Sequence, residues 1–280
     1  LGPKATGNNI RLEKLLPRSR EWRLLITAEC NYRCIFCHRE GVRVDGKPPP
    51  DPAALLATCR SALALGYNDI TLSGGEPLLR KGALRHVIKG LSVPHNGMPI
   101  PSITLVTNGA LLDPHIISDL AAYPGPLKLN VSLHAVSQDT FQQITGTRGD
   151  PDAVLALVRQ ATMAGIEVKL NCVILKEMNH SRADLLAFIK AGKAAGVKAV
   201  KFLELLVEQD RRELYPFFYS EEAVRRDLAN AGFVPALTMP RRIVMRNPLL
   251  PGLDVEAQKC VCKFGCESCA RLRDRTVGQD

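Results

Sequence analysis

The amino-acid sequence predicts an α/β protein organised around a parallel sheet. Three observations carry that expectation. Short apolar, β-prone segments alternate with helix-like segments six times between residues 21 and 210. Repeated β-then-α units imply parallel pairing, because each crossover returns over a sheet face. The strand-like segments hold runs such as LLIT and VILK with little polar alternation, which read as strands buried on both faces. The residues with the most distinctive chemistry follow the C-terminal ends of strands. Closed β/α barrels and open doubly wound sheets both put their sites there.

The elements follow in order. Trp22 to Thr27 (WRLLIT) reads as a short strand by length and composition. Asp51 to Gly66 reads as a helix: Asp51 can cap it, Pro52 suits its first turn, and it closes at a glycine. Asp69 to Leu72 is the second strand, leading into Ser73-Gly74-Gly75-Glu76-Pro77 and a further helix. Ser102 to Val106, Leu127 to Leu133, Val168 to Leu175 and Ala199 to Leu205 read as strands three to six. Helical stretches lie between them, around Asp113 to Ala122, Asp152 to Gly165 and Ser181 to Gly196. After about Leu206 the alternation stops. One helix, a loop or hairpin over TMPRRIVMRNPLLPGLDVE, and a cysteine-rich basic tail follow. This divides the chain into an N-terminal extension over 1–20, a core over 21–210 and a C-terminal region over 211–280.

Composition narrows the function. The chain has 280 residues, 46% of them hydrophobic and 23% charged, as in an ordinary globular protein. No apolar run reaches the roughly 18 residues needed to span a bilayer, and the first residues lack a signal peptide's apolar centre. We therefore expect no membrane partner and a cytoplasmic protein. Nine cysteines then read as metal ligands or core thiols, not disulfides. Cys59 and Cys172 lie in apolar segments and read as core residues. The net charge of +9 points to an anionic substrate. Its basic residues are scattered and aromatics are only 5%, so no nucleic-acid polymer is expected. A phosphorylated small molecule satisfies the same charge.

The segment AECNYRCIFCHREG is the most informative. Cys30, Cys34 and Cys37 follow the spacing Cys-x3-Cys-x2-Cys. Chance would give that spacing only about 0.01 times in a chain of this composition. Three thiolates suit a 4Fe–4S cluster with one iron left open for a small molecule. The alternative is structural zinc, which usually takes four ligands in paired Cys-x2-Cys units; this trio has no local fourth.

The cysteine loop, Gly74-Gly75-Glu76-Pro77 and Thr107-Asn108-Gly109 together resemble the radical S-adenosylmethionine (SAM) superfamily, over roughly residues 20 to 210. The resemblance implies a partial (β/α)6 TIM-type barrel with a small cysteine-rich C-terminal extension. It implies a 4Fe–4S cluster on Cys30, Cys34 and Cys37, whose open iron binds SAM. Reductive cleavage of SAM to a 5′-deoxyadenosyl radical and hydrogen abstraction would follow, fed by an electron donor such as flavodoxin or ferredoxin. It implies that Gly74, Gly75 and Glu76 line the methionine part of SAM. Close backbone approach and a carboxylate acceptor for an ammonium make chemical sense there. Phe36 matches an aromatic position near adenine, and Ser132 and Asn171 match polar positions near SAM.

The tail resembles the molybdenum cofactor biosynthesis protein A (GTP 3′,8-cyclase) family, in which Cys-x2-Cys is followed by Arg-x-Arg; here Cys266 and Cys269 precede Arg271 and Arg273. That family carries a second, substrate-binding 4Fe–4S cluster. Arg23, Lys176, Arg271 and Arg273 match family cations that contact nucleotide phosphates, Arg through its donor fork and Lys as a point charge.

Departures from the family pattern matter too. The family usually has Lys-Ile-Arg before its GGEP segment, where this chain has Asp69-Ile70-Thr71. Two cations are lost and an acid gained, which disfavours a triphosphate. His38-Arg39 replaces a usual Met-Pro, and His134 stands where the family has Asp; His134 could donate a proton near the radical, or simply pack. The third auxiliary cysteine of the family would lie past Asp280, so either the chain is cut short or Cys260 or Cys262 replaces that ligand, and zinc on the tail is the alternative. The expected activity is a radical SAM cyclisation of a nucleotide, either like GTP 3′,8-cyclisation or on a nucleoside monophosphate such as enolpyruvyl uridine monophosphate of nucleoside antibiotic pathways. A peptide-modifying maturase is a second possibility. The roughly twenty residues before the first strand are too few for its usual peptide-binding domain. A non-catalytic iron–sulfur or zinc protein is a third.

Overall fold

A computed structural model describes residues 21–38, 49–208 and 210–260. Six strands run in chain order as parallel neighbours: β1 (Glu21–Leu25), β2 (Asp69–Ser73), β3 (Ser102–Thr107), β4 (Leu127–Ser132), β5 (Glu167–Ile174) and β6 (Ala199–Glu204). Helices α1 (Pro52–Ala64), α2 (Lys81–Leu91), α3 (Pro114–Ala121), α4 (Gln138–Thr145), α5 (Pro151–Met163) and α6 (Arg182–Ala194) make the crossovers. The caps are those the sequence signals. Asp51, Asp113 and Asp150 each accept a backbone N–H of the first turn and precede a proline, and Ser181 with Asp184 forms a capping box. The sheet is open, as in a partial TIM-type barrel.

The sheet also continues beyond the predicted core. After α7 (Glu221–Ala229), the hairpin β7 (Val234–Met239) and β8 (Arg242–Arg246) leads into β9 (Asp254–Gln258). β9 pairs parallel with β6, giving one nine-stranded sheet in the order β1-β2-β3-β4-β5-β6-β9-β8-β7. Residues expected to be loop or hairpin thus widen the sheet by three strands. Composition could not show this, because β9 (DVEAQ) is short and polar and finds its partner more than 50 residues away.

β2 is buried on both faces from Ile70 to Ser73, but β3 and β5 are not, contrary to the reading of their apolar runs. Burial alternates strictly along β3 and β5. The outer set, including Ile103, Leu105, Leu129, Val131, Val168, Leu170 and Val200, is completely buried. Helices cover that face: Gly192 of α6 lies against Val200 and Leu170, and Val154 of α5 lies beside Val131 near Gly109. The inner set carries Lys128, Asn130, Ser132, Lys169, Asn171 and Lys201 and stays partly open. An unclosed barrel leaves its lumen wet, so polar residues there keep water contact and avoid the cost of burial without partners. Cys59 and Cys172 are core residues, 0% and 2% exposed, and burial pushes the Cys59 thiol up to about 12 and raises that of Cys172 too.

Candidate active site

The chain beyond β1 runs beside the GGEP segment before it enters the cysteine loop. Ile26 N–H donates to Ser73 O, Gly75 N–H to Thr27 O and Glu76 N–H to Glu29 O, at 2.9, 2.7 and 2.7 Å. A Cβ on Gly74 would sit 2.3 Å from Thr27 O, and one on Gly75 would sit 2.0 Å from Glu29 O. Only glycine permits this approach. The glycines therefore bring two backbone segments together, whatever else they line.

Glu76 is buried at 1% exposure and caps the 3₁₀ turn Pro77–Arg80. Its Oε1 accepts from Thr107 Oγ1 at 2.7 Å and Leu78 N–H at 2.9 Å, and its Oε2 accepts from Asn108 N–H at 2.7 Å. Burial raises its carboxyl pKa, and these three donors oppose that rise. The carboxylate expected to face an ammonium thus fastens GGEP to Thr107-Asn108-Gly109. Asn108 in turn donates to Asn31 Oδ1 at 2.7 Å and approaches Cys30 Sγ at 3.9 Å. The three motifs are one hydrogen-bonded unit.

The cysteine loop is held from two further sides that the sequence did not reveal. The helix α4, absent from the sequence reading, offers its C-terminal carbonyls: Arg33 N–H donates to Thr145 O at 2.8 Å and Ile35 N–H to Ile144 O at 3.0 Å. The ring of Tyr32 packs edge-on against Phe141, with centroids 5.9 Å apart. Opposite, Arg211 donates to Ile35 O at 2.8 Å and Cys37 O at 3.4 Å. Glu213 holds the Arg211 guanidinium at 2.5 Å.

The donor set fits an iron–sulfur cluster. Cys30 and Cys37 are exposed and Cys34 is half-buried. Burial and the neighbouring Cys37 and Cys30 charges push the Cys34 thiol up to about 12. Burial also raises Cys30, while the Tyr32 N–H at 3.4 Å opposes that rise. Thiolates that feel one another's charge in this way face a common space and need cationic metal to ionise together. Among the described residues, no three His, Cys, Asp or Glu side chains converge closely enough to hold a single metal ion. A mononuclear structural zinc site usually takes four ligands, and this trio offers three. A cluster of several irons suits that set.

A single rung of the sheet carries the rest of the site. Ser132 pairs with Asn171, Asn171 with Lys201, and Lys201 with Glu256, all on the inner face. Asn171 Oδ1 is buried and has no hydrogen-bond partner among the described residues. An orphaned buried acceptor on an open inner face is what a ligand donor would satisfy, which fits the SAM-facing role expected for Asn171 and Ser132. Lys169 and Lys201 also face inward, with side chains 22% and 15% exposed. Both were missed from the sequence, where a lysine in a strand reads as a solvated edge. Lys169 shares strand parity with Asn171, which was its signal in the sequence, whereas Lys201 joins that face only through the register of β6 on β5.

The other predicted positions are distributed as follows. Arg23 lies on β1, near Glu21 and donating to Ser73 Oγ at 3.3 Å. Lys176 is exposed in the turn after β5, its N–H bonded to Phe217 O. The ring of Phe36 meets His134 edge-on at 4.8 Å. His134 is buried, and burial lowers its pKa to about 4. Its Nδ1 accepts from Val173 N–H at 3.2 Å, which leaves the proton on Nε2. It is a neutral packed histidine. Cys260 lies at the end of β9, and its N–H donates to Glu204 Oε2 at 2.9 Å. Arg39, Cys262, Cys266, Cys269, Arg271 and Arg273 lie outside the described residues.

Residues 24–189 match the radical SAM superfamily. The chain belongs to that superfamily. It is 30% identical over 265 residues to a probable GTP 3′,8-cyclase of Thermococcus kodakarensis, covering 92% of this chain and 82% of that protein. A probable GTP 3′,8-cyclase of Thermoplasma volcanium is 26% identical over 266 residues, covering 92% and 77%. In solved structures, Streptococcus suis SuiB bound to S-adenosylmethionine superposes with a TM-score of 0.63 at 15% identity, over 76% of this chain and 47% of that one. Native anSMEcpe with bound AdoMet superposes with a TM-score of 0.59 at 15% identity, over 75% and 58%. The chain therefore spans about half the length of these two structural neighbours, and the likeness concerns the shared fold. As a radical SAM enzyme, the protein uses a 4Fe–4S cluster and SAM, for which the cysteine trio and the orphaned Asn171 are the fitting residues. No described helix is long and apolar enough to cross a membrane.

Proposed function

We propose that this radical SAM enzyme acts on a phosphorylated nucleotide and closes a carbon–carbon bond within it. The observation that carries the reading is the group of inner-face cations. Lys169, Lys201 and Arg242 surround one carboxylate next to the rung that bears Ser132 and Asn171. Cations grouped beside a cofactor-facing rung suit an anionic substrate held within reach of the reacting centre. The names of the cyclase relatives point to the same substrate class.

When bound, the cluster and SAM supply a 5′-deoxyadenosyl radical that takes a hydrogen atom from the substrate. The chain's own residues position and shield. Gly74, Gly75 and Glu76 fix the cysteine loop against β3, and α4 and Arg211 hold its other flanks. Lys169, Lys201 and Arg23 supply positive charge to the lumen and Lys176 supplies it at the rim; Arg271 and Arg273, outside the described residues, keep the phosphate-binding role that the family resemblance implies. Neutral His134 packs behind Phe36 and takes no proton at ordinary pH. β9 is parallel to β6, so Cys260 leaves the sheet at the end that carries the cysteine loop. That placement supports a second 4Fe–4S cluster on Cys260 or Cys262 with Cys266 and Cys269, facing the substrate. Electrons would come from a flavodoxin- or ferredoxin-class protein.

The cyclase family's two cations on β2 are here Asp69 and Thr71, and Thr71 Oγ1 donates to Glu21 Oε1 at 2.8 Å. This favours fewer phosphates than GTP carries, and enolpyruvyl uridine monophosphate is one such substrate. The test is anaerobic incubation with SAM, reductant and a panel of deuterated nucleotides. Deuterium should appear in 5′-deoxyadenosine from a monophosphate. SAM cleavage with no transfer from any nucleotide would refute the reading.

A further inference from the structure

Four charged side chains meet on the inner face where β5, β6, β9 and β8 lie side by side, and the anion is at their centre. Glu256 Oε1 accepts from Lys169 Nζ at 2.6 Å, and its Oε2 lies 3.4 Å from Lys201 Nζ and 3.2 Å from Arg242 Nη1. The Glu256 side chain is 7% exposed, against 22%, 15% and 33% for the three cations. Glu256 is thus the most buried of the four, and each cation keeps more of its side chain exposed. The adjoining charges, Lys128 with Glu167 and Arg246 with Asp254, pair with each other. One carboxylate beneath three cations leaves a surplus of two positive charges.

That surplus matches one phosphomonoester, which carries about −1.5 to −2 at neutral pH. A polyphosphate chain would bring further anions towards Glu256 beyond what the surplus of this cluster balances, and like charges in a partly buried site repel strongly. We propose that Glu256 limits the phosphate count of the substrate: it neutralises one of the three cations, so the lumen accepts a single phosphate and rejects a di- or triphosphate. This rests on the phosphorylated-nucleotide reading and names the residue that decides which member of that class enters. Glu256 acts through Lys169, Lys201 and Arg242, as a positioning and specificity residue.

A purely structural role makes a different forecast. Lys169 reaches Glu256 across the intervening β6, so the network also ties β9 to β5. If that were its whole purpose, removing the charge would lower stability and leave phosphate preference untouched.

The test is calorimetric binding to the full chain with reconstituted clusters. The probes are inorganic phosphate, tripolyphosphate, and the mono- and triphosphates of one nucleoside, each titrated into the wild type and Glu256→Gln. The wild type should favour the single phosphate. Glu256→Gln should raise affinity for tripolyphosphate and the nucleoside triphosphate by about tenfold or more, and for the single phosphates by less than about threefold. A lower melting temperature with an unchanged ratio of the two affinities would overturn the proposal. Arg242→Gln, on the rim, gives an independent arm. It should weaken tripolyphosphate binding more than phosphate binding, and an equal loss for both counts against the proposal even if Glu256→Gln fails to fold. A tenfold gain for tripolyphosphate, with no nucleotide bound by either form, would keep the role of Glu256 and remove the nucleotide reading.

Discussion

The two halves of the sheet build their parts of the site by opposite means. The half around β1, β2 and β3 is made of backbone. Two glycines let chain segments touch, Glu76 fastens one turn to the next, and main-chain N–H groups direct the cysteine loop. The half around β5, β6 and β9 is made of side chains, with Lys169, Lys201, Arg242 and Glu256 balancing charge on the inner face. The difference teaches that the cofactor end tolerates almost no change of shape, whereas the substrate end can be retuned by one charge. Backbone contact is unforgiving because it cannot relax by rotamer change. An ion cluster of long side chains can relax by rotamer change and shifts binding in preference to folding.

The strongest way to break this comparison is at Gly75. Gly75→Ala puts a methyl group 2.0 Å from Glu29 O, so the segments must part. We expect a loss of about 3 kcal/mol or more in stability, together with poor cluster loading measured as iron and sulfide per chain. A variant that folds and loads normally would show that the cofactor end is as adaptable as the other.

A smaller effect is expected at His134, which lies between the two halves. Its pKa is lowered by burial from about 6.5 in the unfolded chain to about 4. The unfolded chain binds the extra proton in that window, so the stability His134 contributes is fully present above about pH 6.5 and is lost as pH falls towards 4. Urea unfolding should show about 2 kcal/mol lost from this group between pH 7 and pH 5, and His134→Gln should flatten that slope. An unchanged slope would mean that His134 is not held neutral.

The smallest effect is expected at Arg211, the side-chain clamp on the backbone-built end. Arg211→Ala removes donors to Ile35 O and Cys37 O. We expect iron to be lost to a chelator several-fold faster, with the melting temperature lowered by only a few degrees, since the residue is partly exposed and water can replace much of what its two hydrogen bonds contribute. An equal rate would confine the support of the loop to main-chain contacts.

The cofactor end was legible in the sequence because its chemistry is local. Cys30, Cys34 and Cys37 are close together in the chain, and a glycine pair after a strand marks close backbone approach wherever it occurs. The fastening role of Glu76 was not legible, since a carboxylate's three donors, from Leu78, Thr107 and Asn108, cannot be seen without the turn that gathers them. Helix α4 was missed because QDTFQQIT is short and mostly polar, and its amphipathic face shows only once Phe141 and Ile144 meet the cysteine loop. β5 was read as doubly buried because its apolar end masks the alternation at its centre, whereas β2 is buried on both faces as read.

By itself the sequence determined the parallel α/β order, the helix caps, the core thiols and the thiolate trio, because each depends on residues within one turn or one strand of each other. Tertiary structure alone decided that β9 joins β6 and that Lys169, Lys201, Arg242 and Glu256 share one inner face. Register between strands far apart in the chain is set by how the whole outer face packs under its helices, and a shift of one residue would turn every one of these charges to the other side.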